Sequence, residues 1–253
     1  MFSNAIVRKP CRNIIQGLTT ANLGIPDYEK AVAQHEFYVS TLKDCGLKVE
    51  VLKADENYPD STFVEDVALL TPHCAIITNP GASSRRGEII GIKKIVQKYY
   101  TAVEEILSPG TVEAGDIMMV GSHFYIGLSN RTNLNGAEQI IRILKQYGMS
   151  GSVIKLEKVL HLKTGLAYLE NNNLVVCGEF LNNPEFKKFN IIDIPEEESY
   201  AANCVWINGK VLIPRDYPIT RLKIRAAGYS IVEVDVSEFR KLDGGLSCLS
   251  LRF

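Results

Sequence analysis

The sequence predicts a single α/β domain over residues 1–253, built as a five-bladed pseudo-symmetric propeller. Three observations lead there. A helix, a stop glycine and a strand recur in that order, and a hairpin follows in each unit. The two ends of the chain also read as short strands able to pair with one another.

Taken in order, residues 27–45 place Tyr28, Ala31, Val32, His35, Val39 and Leu42 on one helical face. Pro26 suits the first turn, and Gly46 suits the left-handed stop. Lys48-Val49-Glu50-Val51-Leu52 then alternates like a half-buried strand. A hairpin over Val67–Thr78 turns at Pro72-His73, and residues 88–100 form a helix leading into a strand at Ala102–Leu107. The next hairpin spans Ile117–Leu128 and turns at Gly121-Ser122. It precedes a helix at Asn135–Tyr147, a stop at Gly148 and a strand at Ser152–Leu156. Leu166–Cys177 turns within Glu170–Asn173, and Val205–Pro214 turns at Asn208-Gly209, the strongest hairpin signal in the chain. Thr220–Ala227, Gly228 and Ser230–Val236 repeat the helix, stop and strand. The hairpin starts lie about 40 to 50 residues apart, the spacing of a repeat array. Leu249–Phe253 lacks a following hairpin strand, and pairing it with Ala5–Lys9 closes a ring.

Composition narrows the function. Hydrophobic residues make up 46% of the chain, charged residues 23%, and the net charge is −1. That balance gives no electrostatic footprint for nucleic acid or an anionic membrane. No signal peptide or long apolar run is visible, so a cytoplasmic protein is expected. The six cysteines form no C-x-x-C pair and no Cys/His cluster with metal spacing, so most are expected to be reduced, buried hydrophobes.

The chemistry-bearing residues fall at one point of the repeat. Asp66, Glu113, His161 and Cys248 each lie in the loop just before a hairpin, with Asn203 at that point of the fourth unit. Rotation about one axis brings these loops together at one end, where thiol, imidazole and carboxylate form the raw parts of an activated nucleophile. A free cysteine is commonly a small core residue. Cys248 differs because Gly244-Gly245 before it allows close approach of a ligand. His161 differs from His35, His73 and His123 in holding the shared repeat position. Glu65 and Asp116 accompany the acidic loops, and each also reads as a solvated or turn-supporting carboxylate. Arg85-Arg86 sits on a glycine- and serine-rich loop without a phosphate-binding signature, so a carboxylate partner suits its fork better. Arg131 is a second such candidate.

Several motifs carry a resemblance. They are Gly17-Leu18-Thr19, Pro59-Asp60-Ser61-x-Phe63-Val64-Glu65-Asp66, Ser84-Arg85-Arg86-Gly87, Gly110-Thr111-Val112-Glu113-Ala114-Gly115-Asp116 and Leu160-His161-Leu162-Lys163-Thr164. Ile194-Pro195-Glu196-Glu197-Glu198-x-x-Ala201-Ala202-Asn203-Cys204 and Asp243-Gly244-Gly245-Leu246-Ser247-Cys248 complete the set. In order and spacing, nearly end to end, the chain resembles the dimethylarginine dimethylaminohydrolases of the guanidino-group-modifying superfamily, which includes arginine deiminases.

The resemblance implies the pentein form of the α/β propeller and hydrolysis of Nω-methylated L-arginines to citrulline and an amine. It implies Cys248 as nucleophile, His161 as acid and base, and Glu113 beside it. Glu113 and Asp66 match the acceptors of the guanidinium nitrogens, and Arg85 and Arg131 the clamp on the substrate α-carboxylate. Asp60 and the main-chain oxygens of Leu18 and Leu242 match α-amine contacts, and Glu65 a further binding position. No metal or organic cofactor is expected. Arginine deiminases typically carry an Asp two residues after this histidine. Lys163 stands there in this chain, which leaves space for a methylated nitrogen and argues against free arginine as main substrate. An arginine deiminase or another guanidine hydrolase on the same scaffold is the alternative, and a catalytically silent binding propeller the more distant one. An open sheet edge or apolar outer face would suit a homodimer, and the glycines of Gly17–Gly24 would suit a loop moving over the site.

Overall fold

The computed structural model describes all 253 residues. Its strands are short because turn chemistry interrupts the apolar runs every few residues. The first blade begins with β1 (Asn4–Arg8), crosses over through α1 (Tyr28–Asp44) and returns as β2 (Lys48–Leu52). Next come β3 (Ala68–Leu70), β4 (Ala75–Ile77), α2 (Ile89–Val96) and β5 (Val103–Glu105). The third unit is β6 (Ile117–Val120), β7 (His123–Leu128), α3 (Leu134–Gln146) and β8 (Ser150–Lys155). The fourth holds β9 (Leu166–Tyr168), β10 (Asn173–Val176) and β11 (Asn190–Asp193). The fifth holds β12 (Val205–Ile207), β13 (Lys210–Pro214), α4 (Pro218–Ala226) and β14 (Ser230–Val234), followed by α5 (Ser237–Arg240) and β15 (Leu251–Arg252).

These strands form five separate three-stranded sheets. In each, a hairpin pair runs antiparallel, and a crossover adds a third strand parallel to the middle one. In the first sheet the chain's two ends supply this pattern: Ala5 pairs with Arg252 and Ile6 with Leu251, while β1 and β2 run in parallel register from Asn4–Lys48 to Arg8–Leu52. The repeat is therefore a closed α/β propeller, with β3 abutting β15 and β9 flanked by β6 and β12 along the axis.

Local sequence accounts for the helix ends. The Asp27 side chain accepts the Lys30 N–H (3.0 Å) and Asn133 accepts the Gly136 N–H (2.8 Å), so both helices start on a side-chain cap. Pro26 lies two residues before the first helical residue, Tyr28, so it precedes the cap Asp27 and is outside the first turn. Gly46, Gly148 and Gly228 take φ of +89°, +74° and +93° after three of the helices, a region costly for other residues. The fourth blade departs from the expected repeat. Its crossover carries short 3₁₀ turns at Gly178–Phe180 and Pro184–Phe186, because Asn182-Asn183-Pro184 interrupts helical periodicity. Phe180, Phe186 and Phe189 fill the space, packing with Tyr125 through edge-on rings.

One buried contact ties this scaffold to the site. Tyr38, fully buried on α1, donates its hydroxyl to the Leu246 carbonyl (2.9 Å) and lies 2.7 Å from Ser250 Oγ, bracing the segment that carries Cys248.

Candidate active site

Each inner strand is entered through a 3₁₀ turn: Val64–Val67, Ala114–Asp116, Leu162–Thr164, Glu196–Ala202 and Ser247–Leu249. Neighbouring turns touch in sequence around the axis, so the side chains at their edges collect at one end. A cleft there is lined by Leu18, Asp60, Asp66, Arg85, Glu113, Arg131, His161, Leu242 and Cys248, along with Phe63, Leu160 and Asp243. Glu65 lies elsewhere. Its carboxylate is turned behind Cys248, where it accepts from Lys163 Nζ (2.7 Å) and the Ser247 hydroxyl (2.8 Å).

Glu113 and His161 form the centre of the cleft. Glu113 Oε2 lies 3.0 Å from His161 Nε2, and Glu113 Oε1 accepts the Ala82 N–H (3.0 Å) with Arg131 Nη1 at 3.6 Å. Burial alone would hold His161 neutral. The charge of Asp66, the hydrogen bond to Glu113 and the charge of Asp116 outweigh it and raise the imidazole to about 9. The carboxyls of Glu113 and Asp66 are both held below their usual range. Burial opposes this, but Glu113 bonds to His161, while Asp66 faces Arg85 and His161. His161 is therefore an imidazolium at neutral pH.

Asp116 does not reach the cleft. It accepts the Leu162 N–H (3.0 Å) and the hydroxyls of Thr132 (2.6 Å) and Ser129 (2.7 Å), fixing the turn that carries His161. Gly115 is needed for the close approach beside it. A Cβ there would stand 2.7 Å from Asp66 Oδ1 and 3.1 Å from His161 Nδ1.

Arg85 is more deeply engaged than a plain ligand clamp. It gives Nη1–H to Asp66 (2.6 Å), Nε and Nη2 to both oxygens of Glu88 (3.0 and 2.9 Å), and Nη2 also to the Phe63 carbonyl (2.9 Å). Nη1 bonds Asp66 alone, and Arg85 lines the cleft. Arg131 is the more exposed of the pair, held near Glu113 alone. Asp60 accepts the Leu18 N–H (2.9 Å), and burial raises its carboxyl against the opposing charge of Arg85.

Cys248 Sγ accepts the Gly245 N–H at 3.4 Å. Burial, then the charges of Glu65 and Asp66, push its thiol up to about 12, with the Gly245 N–H and Lys163 opposing. Cys248 is thus held as a neutral thiol. The other five cysteines are buried and unpaired. Above the cleft, the Thr19 hydroxyl donates to the Lys241 carbonyl (2.8 Å), and Thr20 donates N–H and hydroxyl to Asp243 (2.5 and 3.0 Å). Ligand atoms of Asp66, Glu113 and His161 lie within 4.8 Å of one another, an arrangement able to face a metal ion or an organic cation. Two carboxylates beside a planar fork-shaped cation offer acceptors at fixed angles, which suits a guanidinium.

Sequence reasoning missed Glu88, whose spacing of three from Arg85 in one turn was the available signal; the turn-supporting reading of Asp116 agrees with its hydrogen bonds.

The comparisons agree with one another. A family model described as N,N dimethylarginine dimethylhydrolase, eukaryotic, matches residues 25–249. The N(G),N(G)-dimethylarginine dimethylaminohydrolase of Pseudomonas aeruginosa is 60% identical, covering 100% of both chains, and that of Streptomyces coelicolor is 32% identical over 98% of this chain and 96% of its own. A solved structure of the Pseudomonas aeruginosa enzyme, a cysteine-to-serine variant complexed with citrulline, superposes with a TM-score of 0.99 at 60% identity over 100% of both chains.

Proposed function

The chain belongs to the dimethylarginine dimethylaminohydrolase family, and we propose that its cleft converts Nω-methylated L-arginines into L-citrulline. Asymmetric dimethylarginine yields dimethylamine, and monomethylarginine yields methylamine. The convergence of Cys248, His161, Asp66 and Glu113 on one cleft supports this assignment most directly.

The substrate's guanidinium stays cationic across the working range and sits against Asp66 and Glu113. Its charge beside Cys248 offsets the burial that keeps the thiol protonated, so the thiol releases its proton to solvent and the thiolate forms with substrate bound. Sulfur then attacks the guanidinium carbon, giving a tetrahedral adduct. The His161 imidazolium protonates the departing amine, the C–N bond breaks, and a covalent thiouronium remains. Neutral His161 next takes a proton from water, which adds to the same carbon. The C–S bond breaks as the hydroxyl proton passes to solvent, restoring the thiolate and releasing citrulline. Positioned acid–base transfer of this kind contributes about 10²–10⁴-fold.

Arg131 and Arg85 take the α-carboxylate, with Asp60 and the main-chain oxygens of Leu18 and Leu242 around the α-amine. Lys163, two residues after His161, is paired with Glu65 (2.7 Å), so that position offers no acceptor to demand an unmethylated nitrogen. The chain acts as one domain over residues 1–253. No helix is long and apolar enough to cross a membrane, and the unpaired cysteines suit a reducing cytoplasm. The active form is a homodimer, for which the outward apolar side chains Ile90 and Leu222 offer contact surface. Light scattering on the purified protein tests that point, and a monomer mass refutes it.

The decisive assay follows citrulline and amine together with asymmetric dimethylarginine as substrate. Equal yields of citrulline and dimethylamine are expected. Ammonia released from arginine in preference would make the enzyme a deiminase.

A further inference from the structure

Four of the five axial turns bring a reactive or ligand-binding side chain to the cleft. The remaining one, Glu196–Ala202, ends at Asn203, which lies off the main cleft, against a small pocket behind His161 and Cys248. Its amide grips the neighbouring turn. Asn203 Oδ1 accepts the Ser247 N–H (3.0 Å), and Nδ2 donates to Ser247 Oγ (3.0 Å) and to the Lys163 carbonyl (2.9 Å). Both hydrogens of the amide and its oxygen are used, and the residue is buried.

The carbonyls of this segment are held separately, by the hydroxyls of Tyr38 on Leu246 (2.9 Å) and Tyr200 on Gly244 (2.7 Å) and by Arg252 on Ser247 (3.2 Å), while Asn203 alone joins it to the turn of Lys163 through a side-chain amide. Gly244 and Gly245 carry no side chain to pack, and glycine has the most backbone freedom to lose. A Cβ on Gly245 would stand 2.5 Å from the Asn203 carboxamide, so the backbone lies flush against it, and a Cβ on Gly244 would stand 2.2 Å from the Phe63 ring. The hydroxyl that Asn203 fixes is also the donor to Glu65, which in turn pairs with Lys163. Lys163 follows His161 by two residues, and Ser247 precedes Cys248 by one. The carboxamide therefore joins the backbone of the acid–base turn to the backbone of the nucleophile turn.

We propose that Asn203 is a positioning residue for the reaction, setting the Cys248 sulfur in register with His161 and the guanidinium carbon without touching the substrate. This inference rests on Cys248 being the nucleophile of methylarginine hydrolysis. Its consequence is specific, because the groups that bind substrate are anchored independently of Asn203. A displacement of about 1 Å in a reacting group costs roughly 100-fold in rate, and that loss falls on kcat.

The test compares wild type, Asn203→Ala and Asn203→Asp on asymmetric dimethylarginine, with folding checked by circular dichroism and citrulline affinity by calorimetry. Asn203→Ala is expected to lose about 100-fold in kcat, with KM and citrulline affinity changed by less than about threefold. Asn203→Asp keeps the acceptor for the Ser247 N–H and loses both donated bonds. A smaller kcat loss of about 10-fold is expected, again without a KM change. Wild-type kcat in either folded variant overturns the proposal, as does a loss carried by KM. Failure of both variants to fold assigns Asn203 to stability and overturns it too. Wild-type silence on methylarginine would instead sink the parent reading, so the two failures are distinguishable.

Discussion

Arg85 donates to Asp66 across 2.6 Å while its opposite edge forks onto both oxygens of Glu88. All three are nearly excluded from solvent. A guanidinium so placed closes a charge network that folding has already desolvated, at the wall of the cleft. Removing it leaves two buried carboxylates facing each other, a loss of about 3–5 kcal/mol for a broken buried pair. Arg85→Ala should therefore lower the melting temperature as well as raise KM. Arg131→Ala, with a part-exposed side chain and one long contact, should raise KM about 10-fold or more and leave melting nearly unchanged. Thermal melts and Michaelis curves of the two variants decide this, and equal melting would refute the division of labour.

Cys248→Ser should reduce turnover by at least about 10³-fold, because an alcohol has no accessible anion in this buried, acidic setting. Citrulline should still bind, since the cleft's carboxylates and arginines are untouched. Measurable product at a tenth of the wild-type rate would exclude Cys248 as nucleophile.

His161 is raised to about 9, above its usual value, so its acid form persists through neutral pH and is lost as pH climbs past about 9. The rate of the leaving-group step should fall on that alkaline side. In His161→Gly this limb should disappear along with about 10²–10⁴-fold of kcat. A pH–rate profile of kcat for both proteins checks it, and an alkaline limb unchanged in the variant would assign that titration elsewhere.

Gly115→Ala should be a severe lesion despite adding one methyl. The new atom would stand 2.7 Å from Asp66 Oδ1 and 3.1 Å from His161 Nδ1, so one of the two must move. A kcat loss of roughly 100-fold is expected from a shift on the order of 1 Å. Retained kcat would mean the site can absorb the shift.

His35, buried on α1 with Nε2 unpartnered, is pushed down to about 4, first by burial and then by Lys9. A depressed histidine contributes stability above its ordinary value of 6.5, and that contribution drains as pH falls toward 4. The linked loss approaches about 3 kcal/mol. His35→Leu should flatten this part of the acid decline, seen as a smaller difference in melting temperature between pH 7 and pH 4.5. An unchanged slope would place the acid sensitivity in other groups.

Much of this site was legible because its residues share one repeat position, and a rotation axis turns equal sequence position into spatial convergence. Asp66, Glu113, His161 and Cys248 stood out on that ground. Asn208-Gly209 announced its turn because both residues need positive φ, +49° and +90° here. Glu65 was harder to place, since adjacent residues in a 3₁₀ turn point in different directions and sequence does not say which one faces the cleft. The crossover of the fourth blade was opaque for another reason. Phe180, Phe186 and Phe189 carry no helical period, and their packing is decided by Tyr125 from a different blade. Glu88 bonds Arg85 and lies off the cleft, so residue type alone does not point to it, whereas Asn203 stood out by repeat position but its partners, Ser247 and Lys163, did not.

The pairing of β1 with β15 has a consequence for biosynthesis. The first blade stays unfinished until residues beyond Cys248 return to Ala5 and Ile6, a contact spanning almost the whole chain. Along the polypeptide, Asp66, Glu113 and His161 emerge from the ribosome long before the thiol. The Cys248 thiol thus joins the cleft in the same stretch of chain that latches the ring shut.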